Sequence, residues 1–152
     1  MTTSQNGINL IKEFEGCKLT AYALGDGKWT IGYGNTFYED GTPVKEGDTI
    51  TQEQANSLLL LIVPQFEKAV NADIAHTPIN QNQFDALVDF CYNLGAGSLA
   101  QSTLLKEVNA DPSNPDIRRC FMMWVEPGSK FEADLTRRRS AEADLYFTPP
   151  IA

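Results

Sequence analysis

The sequence predicts an α+β fold, in which one small glycine-rich β-hairpin is carried near the N-terminus of an otherwise helical chain. Three observations predict it. Apolar residues recur at helical spacing along most of the chain, as in Phe84, Leu87, Val88 and Cys91. Residues 18–36 instead alternate as strands do, around the turn sequence Gly25-Asp26-Gly27. Downstream helical segments are not interleaved with further strands, so the pattern is not that of βαβ units.

The elements follow in order. Ile8, Ile11 and Glu15 fall on one helical face, with Leu10 and Phe14 beside it, and Gly16 is a suitable stop. In the hairpin, strict alternation puts Trp29, Ile31 and Tyr33 on one side and Thr30, Gly32 and Gly34 on the other. Residues 38–48 read as a loop or a further short hairpin. Thr51 with Gln54 is a capping-box pair, opening a helix to about Ala72 that Pro64 kinks or divides. Asn80 or Gln81 starts the next helix, which Gly95 ends. A helix is expected over about 98–109, another from Asn114-Pro115 through Trp124, and a last over about 135–146.

Composition narrows the function. A chain of 152 residues is most simply one domain. A net charge of −8 and a pI near 4.5 argue against nucleic acid as a partner, because phosphate binding needs a basic footprint. The longest apolar run, Leu58 to Val63, is far short of the roughly 20 residues that span a bilayer. The first residues lack a basic start and an apolar run of signal length, so synthesis in a cytoplasm is expected. Cys91 and Cys120 continue apolar stripes and read as core; Cys17 has no assigned environment. With one histidine, His76, and no metal-ligand spacing, neither metal nor cofactor is expected. Arg138 and Glu142, four apart on a helix, can pair.

The chemistry concentrates in the opening stretch. Glu15 lies on the apolar face of its helix and in the last turn, where carbonyl dipoles disfavour negative charge. Burial and that dipole both favour the protonated form of a carboxyl group, which a general acid requires. Thr30 is the one hydroxyl on a strand face otherwise occupied by glycine, and it can hold a water. Alternate glycines in a strand need a reason: close approach of a flat ligand, or tight packing of the hairpin on a helix.

The segments EGCKLTAY and GKWTIGYGNT resemble the active-site signature of the phage-type lysozymes, the endolysins of glycoside hydrolase family 24. Later segments, NQNQFDALVDFCYNLG, STLLKEVN and LTRRRSAEADLY, resemble that family's helices in the expected order. The resemblance implies a lysozyme-like fold: a domain over 1–152, with a β-containing lobe over about 17–50, a helical lobe over about 1–16 and 65–152, and the active-site cleft between them. It implies a monomeric muramidase that cleaves the β-1,4 bond between N-acetylmuramic acid and N-acetylglucosamine in peptidoglycan, without membrane insertion. Lacking an export signal, such an enzyme would need a membrane pore to reach the wall.

Residue by residue, the resemblance maps the catalytic glutamate to Glu15 and the threonine to Thr30, and implies glycan contact along Gly32, Gly34 and Asn35. Asn35 departs from the family's usual histidine but can still hydrogen-bond, so it reads as scaffold or support for the contact residues. The larger departure is Leu24, where the family has Asp or Cys and where leucine can serve neither as base nor as nucleophile. Three readings stand. Asp26 takes over, Glu15 and Thr30 act alone and weakly, or the chain binds glycan without cleaving it. If Asp26 acts, a carboxyl separation of about 6.5–9.5 Å gives inversion and about 5–5.5 Å gives retention. The resemblance favours inversion.

Overall fold

The computed structural model of the chain describes residues 1–151, which form seven helices and one two-stranded antiparallel sheet. They divide into two compact units, Met1–Ile11 with Phe66 onward, and Lys12–Gln65. The divisions fall inside the two helices α1 (Gln5–Glu15) and α2 (Gln52–Asp73).

In the first unit, the start of α1 is tied to α3 (Gln81–Leu94). The Ser4 backbone N–H donates to buried Asp85 at 3.0 Å, and the Ser4 hydroxyl donates to the same carboxylate. Gly7 leaves room for this approach, since a Cβ there would stand 2.9 Å from the Asp85 carboxyl carbon and closer still to Thr3. A capping box of Asn80 and Gln83 starts α3, whose buried face presents Phe84, Leu87, Val88 and Cys91. This face packs on α7 (Glu132–Tyr146). Phe90 meets Phe121 and Trp124 edge-on at 6.0 and 5.6 Å between ring centres, and Cys120 is fully buried nearby in sequence.

Four ionisable groups lie inside the α3–α7 packing. Arg138 grips Asp89 with two hydrogen bonds of 2.9 Å, and Arg139 stands 2.7 Å from Glu142. All four side chains are buried. The expected Arg138–Glu142 pair is the weaker arm, at 3.9 Å. Burial, and then the neighbouring Asp89 carboxylate, hold the Glu142 carboxyl well above the usual carboxylate range.

Three helices differ from expectation, two of them for local reasons. The helix expected over 98–109 is two, α4 (Ala96–Gln101) and α5 (Thr103–Ala110). Ser102 separates them: its backbone is extended, and its hydroxyl donates to the Leu99 carbonyl while accepting the Leu105 N–H. The helix expected from Asn114-Pro115 begins later, as α6 (Ile117–Met122), because the Asn114 side chain accepts the Asp116 N–H in a turn ahead of it. α7 begins at Glu132, three residues ahead of the expected start.

The second unit holds the sheet, β1 (Lys18–Ala23) with β2 (Trp29–Gly32). Lys18 opposes Gly32, Tyr22 opposes Thr30 and Ala23 opposes Trp29, with a bulge between Lys18 and Tyr22. Within the bulged stretch β1 turns its other edge to residues 48–50, through Ala21 N–H to Asp48 and Ile50 N–H to Leu19. Ile31, Val44 and Leu58 form the unit's core, with Trp29, Ala21, Tyr38 and Ile50 packed around it. Residues 36–44 make a short hairpin-like turn through a Phe37–Pro43 bridge. The Thr51–Gln54 capping box forms as expected, and α2 continues as one helix through Pro64.

Alternation fails after Gly32. The backbone takes φ +67° at Gly32 and +106° at Gly34, and Ile31 and Asn35 exchange two 2.9 Å backbone bonds across the turn. Tyr33 therefore leaves the Trp29–Ile31 face, and Gly34 lies on no strand face. A Cβ on Gly32 would meet the Ala55 Cα of α2 only at 3.8 Å, an ordinary contact, so the positive φ rather than helix packing calls for glycine there.

Candidate active site

Glu15 is the last residue of α1 and is half-buried. The helix stops there because Gly16 takes φ +66° while its N–H still reaches the Lys12 carbonyl at 3.2 Å. Three residues on, the chain enters β1. Thr30, in the middle of the other strand, is only 4% exposed.

Tyr22 is a neighbour of both, and sequence reasoning gave it no role. It stands directly opposite Thr30, and residues opposite one another in an antiparallel pair share a face. Its phenol ionises above the ordinary tyrosine range, first because of burial and second because of the negative charge of Glu15. The field of Glu15 thus reaches the side chain paired with Thr30. Removing that charge by Glu15→Gln is expected to lower the titration midpoint of Tyr22 while leaving it above that of a free tyrosine, since burial persists. NMR titration of ring-labelled tyrosine checks this; an unmoved midpoint would separate Tyr22 from Glu15.

Asp26 sits at the exposed tip of the hairpin. Its Oδ1 accepts the Lys28 N–H at 3.0 Å, closing an Asx turn between Gly25 and Gly27, which take φ +86° and +80°. Leu24, beside it, is 68% exposed. Among the predicted contact residues Gly34 is exposed, whereas Gly32 and Asn35 are buried. Asn35 donates from its amide to the Leu58 carbonyl of α2 at 3.1 Å, and its buried Oδ1 faces Gly32.

A second polar group fixes the hairpin's end. Gln52 donates to the Tyr33 hydroxyl at 3.0 Å and to Asn56 at 3.1 Å, Cys17 lies against the same hydroxyl, and the Lys12 ammonium stands 5.8 Å from the Tyr33 ring. A cavity of about 520 Å³ elsewhere in the unit is lined by Tyr38, Ile50, Gln54 and Leu61, and by neither Glu15 nor Thr30. Among the described residues no group of three or more His, Cys, Asp and Glu is placed to hold a metal ion, and no helix is long and apolar enough to cross a membrane.

The phage lysozyme family model matches residues 12–142. The endolysin of Bacillus phage B103 is 40% identical over 150 residues; the match takes in 97% of this chain, which spans about half, 55%, of that relative. Among solved structures, the endolysin from Escherichia coli O157:H7 phage FAHEc1 superposes with a TM-score of 0.86 at 40% identity, covering 97% of this chain and 94% of that one. The muramidase domain of SpmX from Asticaccaulis excentricus superposes with a TM-score of 0.85 at 38% identity, covering 97% and 99%. With most of its length matched by that family model, the chain belongs to the phage lysozyme family.

Proposed function

We propose that this chain is a muramidase that hydrolyses the β-1,4 bond between N-acetylmuramic acid and N-acetylglucosamine in bacterial peptidoglycan. The observation that carries the reading is the placement of Glu15: a half-buried carboxyl where α1 stops, coupled to the residue opposite Thr30, in a chain of this family. Glu15 gives its proton to the glycosidic oxygen. The C1–O bond breaks, its electron pair leaves with that oxygen, and a water held by Thr30 bonds to C1. The water's spare proton is released to solvent, from which Glu15 is reprotonated. Asp26 has the lesser part, as an exposed carboxylate whose negative charge eases loss of the water's proton. Gly32 and Asn35 shape the ribbon beneath the sugar and Gly34 meets it. Glycan strands are the partner of a monomer. Made in the host cytoplasm, the enzyme reaches the wall after a pore opens.

A second reading, glycan binding with little turnover, is favoured by one observation: the exposed Leu24 offers no acid–base chemistry beside the site. Purified sacculi separate the two. The wild-type chain is expected to release reducing ends, and Leu24→Asp to raise that rate by about 10²-fold, the low end for a positioned general base. Firm sedimentation with sacculi and no reducing ends from the wild type would establish the second reading instead.

A further inference from the structure

We infer that Tyr22 is a further residue of this site: with Thr30 it holds the attacking water, supplying the second fixed partner that Leu24 cannot. The inference rests on the muramidase reading above. It starts from the register. Tyr22 and Thr30 are directly opposed beyond the β1 bulge, where pairing is regular, so their side chains leave the same face about 5 Å apart at Cβ. On β1 and β2 the neighbouring positions Ala21, Trp29 and Ile31 belong to the apolar core of the unit, which leaves Tyr22 and Thr30 opposed on the other face, while the remaining β1 hydroxyl residue, Thr20, bridges instead to Thr49.

Among the described residues neither hydroxyl is committed to a hydrogen bond within the protein, so both are available to a shared water. One hydroxyl positions a water but does not aim it. Two converging hydroxyls fix the direction of a lone pair, and aim is what turns a bound water into an attacking one. The other polar candidate near Leu24 is Asp26, whose Oδ1 already accepts the Lys28 N–H at the tip of the turn. Tyr22 stays protonated through the neutral range, because burial opposes its ionisation. It therefore remains a donor while keeping a lone pair for the water, and it takes no proton from it.

The test uses the full chain and soluble oligosaccharides of alternating N-acetylglucosamine and N-acetylmuramic acid. Tyr22→Phe keeps the ring and removes the hydroxyl. The expected result is a kcat lower by about 10–100-fold, the scale of a misplaced reactant, with KM within about twofold and the melting temperature unchanged. Phe at 22 with an unaltered kcat overturns the inference, as does a loss that follows a lowered melting temperature or appears in KM alone. Glu15→Gln run beside it keeps the two readings distinguishable. If Glu15→Gln cleaves at the wild-type rate, the muramidase reading itself falls. If Glu15→Gln is inactive while Tyr22→Phe is fully active, only the role of Tyr22 falls.

Discussion

Glu15→Gln is expected to slow release of reducing ends from sacculi by about 10³-fold, midway in the range that a positioned acid or base contributes. Glutamine has the shape of glutamate and no proton to give. The position is a half-buried helix end, where an uncharged side chain sits at least as comfortably beside the terminal carbonyls as a charged one. The thermal melt, run beside the assay, separates lost chemistry from lost fold. Sedimentation with sacculi should also persist, because a proton delivered only as the bond breaks adds little to ground-state binding. The combination of binding kept, melt kept and turnover lost identifies a general acid. Equal turnover by both proteins would take Glu15 out of the mechanism.

The second large effect is on stability. Arg138→Met is expected to destabilise the fold by about 3–5 kcal/mol, the usual result of removing one partner from a buried ion pair. Methionine replaces the aliphatic stem, so packing is largely preserved. What is lost is the two-pronged grip on Asp89, leaving that carboxylate fully buried beside the equally buried Glu142. At this chain length the melting temperature should fall by roughly 10 °C. The control is Asp144→Ala, which breaks the surface pair Arg118–Asp144, whose side chains are 46% and 71% exposed. That change should cost no more than about 1 kcal/mol. A pair of melts shifting by similar small amounts would show that the α3–α7 ion cluster is not needed for the packing around it.

Much of this was legible in the sequence. Local rules act over three or four residues and need no tertiary information: the capping box at Thr51, the helix start at Asn80 or Gln81, the stop at Gly16 and the apolar stripe of α3 all formed as their residues dictate. Where sequence reasoning fell short, a competing local bond or a non-local contact decided the outcome. Ser102 preferred bonds from its own hydroxyl to an unbroken helix. Strict alternation makes the glycines after Ile31 a bare strand face, whereas Gly32 and Gly34 serve positive-φ backbone in a turn. Asp89 could not be matched to Arg138 from spacing, because 49 residues separate them. Tyr22 is different. A register symmetric about Asp26, at the centre of the Gly-Asp-Gly turn, already pairs residue 22 with residue 30. That signal lies in the turn, whereas alternation along one strand says nothing of its partner.

The three cysteines differ in what reagents can do to them. Burial pushes the Cys91 thiol up to about 11 and raises that of Cys120 as well, so both stay in the unreactive protonated form at neutral pH. Cys17 is only partly covered and lies two positions after Glu15. A soft electrophile offered to the native chain is thereby directed to Cys17, so a spectroscopic reporter can be installed beside Glu15 without engineering a single codon.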